Sequence, residues 1–181
     1  MLSVQSNRGR ALEDLVERAF DNDPGSKMFH QNNKTVILRD GTAFYQKGKG
    51  APVDFVGTVR GIPAAVECKE TSSSRLSLAE SRFPEKEKKA LEEFERAEGR
   101  SFIVVAFWKE DLLAVFTVDA LRNRKSLSPK EAAFTLPVSQ AMLLPQKIWT
   151  ASAILRNEGE ECLCRTTGSP WASKPTAASR T

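Results

Sequence analysis

The chain of 181 residues has little of several residue types that carry enzyme chemistry. It contains one histidine, His30, and three cysteines, Cys68, Cys162 and Cys164. Histidine-metal nucleases and Ser-His-Asp hydrolases depend on a positioned imidazole, whereas His30 lies in a polar stretch typical of an exposed or locally bonded side chain. No histidine is near Cys162 and Cys164, so a zinc site is not expected, and three thiols do not indicate a disulfide framework. Carboxylates and lysines therefore remain as the groups that would carry catalysis.

Long apolar runs are also missing. No segment approaches the ~20 apolar residues that span a bilayer, and residues 1–10 are polar, without the apolar core of a signal peptide. From this we expect a cytoplasmic protein. The 27 Lys and Arg only slightly outnumber the 23 Asp and Glu, which is a weak indication of a nucleic-acid partner. The polar residues 155–181 predict a disordered C-terminal tail after a single domain.

The spacing of apolar residues predicts alternating helices and strands. Apolar residues in the segment 11–20 recur at the positions of an amphipathic helix, and Glu13 falls at the edge of its apolar stripe. Two strands joined by a turn predict an antiparallel hairpin in the middle of the chain. Strands flanked by helices predict an α/β fold with one layer of strands. The predicted elements are helix 11–20, strands 53–59 and 64–70, helix 84–97, and strands 101–108 and 112–118.

Asp54, Glu67 and Lys69 have the clearest chemical meaning. Successive residues of a strand face opposite sides, so Glu67 and Lys69 project together while Val66 and Cys68 face the core. The hairpin brings Asp54 within reach of Glu67. Mg²⁺ takes oxygen ligands, and one or two acids with a substrate phosphate suffice to hold it. Lys69 could orient or deprotonate an attacking water or stabilise transition-state charge, so these residues predict metal-assisted phosphodiester hydrolysis.

The same pattern has an ordinary structural interpretation. An acid and a lysine that alternate along a strand keep an exposed sheet edge soluble, and most such pairs carry no chemistry. Asp54 at hairpin distance and Glu13 at the rim of the preceding helix favour the catalytic interpretation.

In this order, the residues resemble the PD-(D/E)xK nuclease superfamily and, more closely, the RecU-like Holliday-junction resolvases. The resemblance spans about residues 5–150 and implies a restriction-endonuclease-like mixed β-sheet flanked by helices, with residues 1–154 as the nuclease domain. It rests on Asn7-Arg8-Gly9, Leu12-Glu13, Phe44-Tyr45-Gln46, Val53-Asp54-Phe55 and Glu67-Cys68-Lys69-Glu70-Thr71.

The resemblance implies roles for single residues and for the whole molecule. It implies that a metal site is formed by the acids Glu13, Asp54 and Glu67 and that the catalytic lysine is Lys69. The implied cofactor is Mg²⁺ or Mn²⁺. The implied enzyme is a homodimer that nicks opposed strands of a four-way DNA junction.

Basic residues supply candidate DNA contacts. By the resemblance, Lys47 and Lys49 fall where RecU-like proteins carry a projecting segment that enters the junction, and Arg8 matches a basic residue at the mouth of the site. Arg75 and Arg82 lie in the loop after the lysine strand, where they are placed to contact phosphates.

Two departures from the family pattern leave alternatives open. Val53 separates Pro52 from Asp54, and Pro84, Lys86 and Glu87 stand where RecU-like proteins often carry His and Gln. Glu87 is interpreted as a solvated helix residue in preference to a polar group of the site. The alternatives are a restriction or repair nuclease of the same superfamily, an inactive relative that binds branched DNA, and an interaction protein with an accidental match.

Overall fold

The structure is a computed structural model that describes residues 8–31, 35–37, 43–45 and 53–152. The predicted tail, 155–181, lies outside the described residues. The helices are α1 (Arg8–Asp21), α2 (Glu85–Arg96) and α3 (144–152). The strands are β1 (Ser26–His30), β2 (Thr35–Ile37), β3 (Ala43–Tyr45), β4 (Phe55–Val59), β5 (Ile62–Thr71), β6 (Leu76–Ser77), β7 (Arg100–Phe107), β8 (Leu112–Thr117), β9 (Ser126–Leu127) and β10 (Phe134–Pro137).

Six of these strands form one mixed sheet in the order β1-β4-β5-β7-β8-β10. Neighbouring strands are antiparallel except β5 and β7, which run parallel. Helix α2 makes the crossover between these two strands, as a parallel pair requires. The predicted α/β class, a mixed sheet flanked by helices, is confirmed.

The predicted central hairpin is confirmed as β4 and β5. Its turn consists of Arg60 and Gly61, whose φ angles are +49° and +82°, the positive values that suit a two-residue hairpin. The turn is shorter than the predicted strands 53–59 and 64–70 implied, because Ile62 and Pro63 already belong to β5. Pro63 is tolerated there because β7 pairs with β5 only from Ala64 onward, so no ladder hydrogen bond toward β7 is lost.

One face of the sheet is covered by α1 and α3. The buried side chains of Leu12 and Val16 on α1 and of Leu144 and Ile148 on α3 pack there. Val66 and Cys68 of β5 belong to the same core, as alternation along the strand predicted. Cys68 is a buried free thiol.

The opposite face is covered by α2 and the loop before it. Phe83 and Leu91 are fully buried against Ala65, Ile103 and Val105. Helix α2 agrees with the predicted helix at 84–97, and β7 and β8 agree with the predicted strands 101–108 and 112–118. This second core holds α2 rigidly over the side of β5 that carries Glu67 and Lys69.

Strand β1 was not predicted. It has a single buried side chain, Met28, so it shows too little apolar alternation to be recognised from sequence. Its close approach to β4 depends on Gly57, where a Cβ would lie 2.0 Å from the Lys27 carbonyl oxygen. Within the described residues, no helix is long and apolar enough to cross a membrane.

Candidate active site

Asp54 is an acid of the candidate site that is held against β5 by a backbone hydrogen bond. The residue directly precedes β4 and is not part of it, which corrects the predicted strand boundary. Its Oδ2 accepts a hydrogen bond of 2.7 Å from the backbone N–H of Cys68. This bond ties Asp54 to the middle of β5, at the residue between Glu67 and Lys69.

Glu67 and Lys69 project from the same side of β5, as predicted. Glu67 is buried, with 3% of its side chain exposed, and Lys69 Nζ lies 2.5 Å from Glu67 Oε1. Strand alternation places Val66 and Cys68 in the core on the other side. The structure therefore brings Asp54, Glu67 and Lys69 together at one place on the sheet.

Glu87 completes this group and corrects the interpretation of a solvated helix residue. Its Oε2 lies 2.8 Å from Lys69 Nζ, and its side chain is only 17% exposed. Sequence periodicity could not find it, because acids and bases are interleaved along α2. The signal available was positional: α2 follows the strand that carries the lysine.

The group contains more carboxylates than cations: Asp54, Glu67 and Glu87 surround one ammonium, that of Lys69. Burial raises the pKa of Asp54 to about 6, and the charges of Glu13 and Glu87 add to the rise against the opposing Cys68 N–H and Lys69. Burial and the Asp54 charge raise the pKa of Glu67 to about 8. Burial disfavours the ammonium of Lys69, but the adjoining Glu67 and Glu87 outweigh it and raise its pKa. The site holds excess negative charge.

Glu13 lies on α1, near enough for its charge to affect Asp54. Its Oε2 is 3.1 Å from His30 Nε2, and the imidazole stacks on Phe55 with ring centroids 4.5 Å apart. His30 is 11% exposed and also lies 3.8 Å from Glu17. It is thus a bonded imidazole beside the site, which the sequence did not reveal because β1 was not recognised.

The candidate donors fit a small divalent cation that completes its shell with water and phosphate. Asp54 and Glu67 offer hard carboxylate oxygens in a site with excess negative charge, as Mg²⁺ or Mn²⁺ prefers. Within the described residues, no three His, Cys, Asp or Glu side chains are arranged as ligands of one ion. Two acids with water and a substrate phosphate are a common way of holding Mg²⁺.

The predicted DNA contacts differ in their surroundings. Arg75 donates to Ser126 and lies 3.3 Å from Glu131, so it ties β6 to β9 and the turn beyond. Arg82 and Lys109 instead line an open cleft of about 830 Å³ beside the site. The remaining lining residues of this cleft, named here the Arg82–Lys109 cleft, are Ala11, Glu70, Thr71, Ser72 and Trp108.

Three further candidate contacts fall on side chains outside the described part of the chain. Arg8 begins α1, but its side chain is outside what the structure describes. Lys47 and Lys49 lie outside the described residues.

Glu67 and Lys69 on β5, with Asp54 directly before β4 in a mixed, helix-flanked sheet, match the residue pattern of one class of protein, the nucleases of PD-(D/E)xK type. A family model described as Recombination protein U, RecU, matches residues 7–142. The chain belongs to the RecU family, which makes it a DNA endonuclease of the Holliday-junction resolvase type. The resemblance stated from the sequence is thereby confirmed.

Other comparisons were made with curated proteins and with solved structures. No curated protein gave a significant match. Among solved structures, the Holliday junction resolvase Hjc of Archaeoglobus fulgidus is similar, with a TM-score of 0.44 and 15% sequence identity. The similarity covers 74% of this chain and 95% of that one.

Proposed function

We propose that this resolvase hydrolyses phosphodiester bonds with Mg²⁺ or Mn²⁺ and nicks opposed strands of a four-way DNA junction. One observation carries the proposal. The backbone N–H of Cys68 donates a 2.7 Å hydrogen bond to Asp54, which holds this acid beside the pair of Glu67 and Lys69. Two carboxylates with raised pKa values beside one ammonium destabilise the fold, so this arrangement indicates a functional role.

Asp54 and Glu67 would hold the metal ion. Bound there, the ion would neutralise charge on the phosphodiester and help to generate the nucleophile from water. Glu13, fixed by His30 at 3.1 Å, adds negative charge from the other side of the site. In this proposal it binds a water of the metal shell or the metal itself.

Lys69 donates hydrogen bonds to the phosphate that is attacked. Burial disfavours its charge, but Glu67 and Glu87 outweigh burial and raise the pKa of Lys69, so it is an ammonium at neutral pH. A protonated lysine cannot accept a proton from water, which favours charge stabilisation over general-base catalysis.

The Arg82–Lys109 cleft gives the DNA a path to the site. Glu70 and Thr71, which line it, directly follow Lys69 on β5. Arg82 and Lys109 at this cleft are suited to contact phosphates on either side of the cleaved bond. The Trp108 side chain lines this cleft in a defined orientation, because its Nε1 donates a hydrogen bond to Glu70 Oε2 at 2.7 Å.

A homodimer would supply two such sites for the two strands of a junction. The resemblance to RecU-like resolvases implies this state. Sedimentation of the protein alone and with a junction tests it directly, since a single protomer on each junction would contradict paired nicking by one enzyme.

A cleavage assay tests the proposal. The protein is incubated with a synthetic four-way junction and with linear duplex of the same sequence, in Mg²⁺, in Mn²⁺ and in EDTA. Asp54→Asn is compared with Asp14→Asn, an equal change at an exposed position of α1. We expect symmetric nicks in the junction only, lost in EDTA and in Asp54→Asn and retained in Asp14→Asn.

The other outcomes separate the alternatives. Metal-dependent cutting of the linear duplex would indicate a restriction or repair nuclease of the same superfamily. Junction binding without cutting in either metal would indicate an inactive relative that binds branched DNA. An absence of both would contradict a nucleic-acid function.

A further inference from the structure

Glu87 is less exposed than Glu85 and Glu93, two other acids of α2. Its side chain is 17% exposed and turned toward the sheet, whereas Glu85 and Glu93 are 57% and 68% exposed. Its Oε2 lies 2.8 Å from Lys69 Nζ, and the same nitrogen lies 2.5 Å from Glu67 Oε1. The ammonium is therefore held between two carboxylates from two separate elements.

This arrangement is unfavourable for the metal-free fold. Glu87 adds a third carboxylate to a site that already contains Asp54 and Glu67, and among the described residues Lys69 is the one cation paired with Glu67 and Glu87. A neutral side chain at this position would satisfy the fold at lower electrostatic cost.

Helix α2 is rigid enough to make Glu87 a fixed support. Leu91 lies one helical turn beyond Glu87 and is completely buried, and Phe83 before the helix is completely buried too. The Phe83 ring also lies 5.3 Å from Lys69 Nζ, which limits where the ammonium can move. Lysine has four flexible side-chain bonds, so an active-site ammonium needs such restraints.

We propose that Glu87 is a positioning residue that holds the Lys69 ammonium at the scissile phosphate. With Glu67 it fixes two sides of the ammonium, and the remaining N–H capacity is directed at a phosphate oxygen of the DNA. Without Glu87 the ammonium turns toward Asp54 and Glu67 and leaves the position where phosphate charge develops. This inference rests on the proposed role of Lys69 and adds the residue that aims it.

The prediction is a loss of rate without a loss of binding. Removal of a residue that orients an active-site group typically costs about 10–100-fold in activity. We expect Glu87→Ala to lower kcat on a four-way junction by about that factor, with KM and junction affinity within about twofold. Glu87→Gln keeps an oxygen that accepts from Lys69 and should recover most of the rate. Glu93→Gln, the same change at an exposed position of the same helix, serves as the matched control.

Two readouts separate positioning from metal binding. The first is the Mn²⁺ concentration at half-maximal stabilisation in a thermal unfolding assay, which needs no cleavage and should stay within about threefold in both Glu87 variants. The second is the NMR signal of the Lys69 ammonium, assigned by its loss in Lys69→Met. We expect this signal in the wild type and in Glu87→Gln, and its loss through faster exchange in Glu87→Ala.

The outcomes are decisive in either direction. Wild-type kcat in Glu87→Ala, or an unchanged ammonium signal in it, would overturn the proposal. A large rise in the Mn²⁺ midpoint would overturn it in favour of a metal ligand. Equal losses of rate in Glu87→Gln and Glu93→Gln would show a general effect of charge on α2. If the wild type cleaves and Asp54→Asn does not, the proposed function stands whatever the Glu87 variants do.

Discussion

Replacing Glu67 by glutamine should stabilise the metal-free protein while it abolishes cleavage. Glu67 is buried, and burial together with the Asp54 charge raises its pKa from 4.5 to about 8. A carboxyl group with a raised pKa in the folded state favours folding only while it is protonated. As the pH rises from 4.5 toward 8, the unfolded chain ionises freely and the folded chain does not, so stability falls.

The magnitude follows from the size of this shift. Each pH unit above 4.5 and up to 8 costs the folded state about 1.4 kcal/mol relative to a neutral side chain. At pH 7.5, before any relaxation of the structure, Glu67 therefore lowers the free energy of unfolding by about 4 kcal/mol relative to a neutral side chain. Water entry and side-chain relaxation relieve part of such penalties, so Glu67→Gln should gain about 1–3 kcal/mol at pH 7.5 and less than about 1 kcal/mol at pH 5.

Urea unfolding in EDTA at pH 5, 6 and 7.5 measures this difference. The assay compares the wild type, Glu67→Gln and the exposed control Glu93→Gln, whose unfolding free energy should follow the wild type at every pH. A gain in Glu67→Gln that does not grow with pH, or a loss of stability at pH 7.5, would refute the reasoning. Mn²⁺ should then stabilise the wild type and leave Glu67→Gln nearly unaffected, because the variant has lost a metal-binding carboxylate.

Three further changes test other parts of the structure. His30→Ala removes the 3.1 Å partner of Glu13, and we expect kcat to fall about tenfold with unchanged junction affinity in a gel-shift assay. Lys109→Ala should weaken junction binding and lower the slope of log affinity against log salt by about 1, whereas an unchanged slope would exclude a phosphate contact. Gly57→Ala places a Cβ 2.0 Å from the Lys27 carbonyl, so β1 must shift at a cost of about 1–3 kcal/mol in urea unfolding; wild-type stability would contradict this packing.

Local patterning was enough to predict the central elements. The amphipathic helix, the hairpin of β4 and β5, helix α2 and the hairpin of β7 and β8 were all predicted, because each has an apolar period that matches its own geometry. The alternation of a strand also placed Glu67 and Lys69 on one side of β5 and Cys68 in the core. These features depend on neighbours within a few residues along the chain.

The edge of the sheet depended on distant neighbours. β1 exists as a strand because β4 offers it a partner and Gly57 admits its backbone. The two-residue strands β6 and β9 pair across fifty residues of sequence, and short strands of this kind have no period of their own. Their pairing is decided by the packed core, which no local window contains.

The candidate site likewise combines residues that local sequence patterns predicted with residues that only tertiary structure brings in. Asp54, Glu67 and Lys69 were identified by sequence alone because hairpin geometry and strand alternation bring them together over short separations. Glu87 and His30 were assigned their contacts only by tertiary structure: α2 folds back over β5 to reach Lys69, and β1 adds at the sheet edge to reach Glu13. Residue type and spacing thus predicted the group of Asp54, Glu67 and Lys69, whereas the packing of separate elements decided which further side chains contact the candidate site, because contacts between distant segments leave no periodic signal in either one.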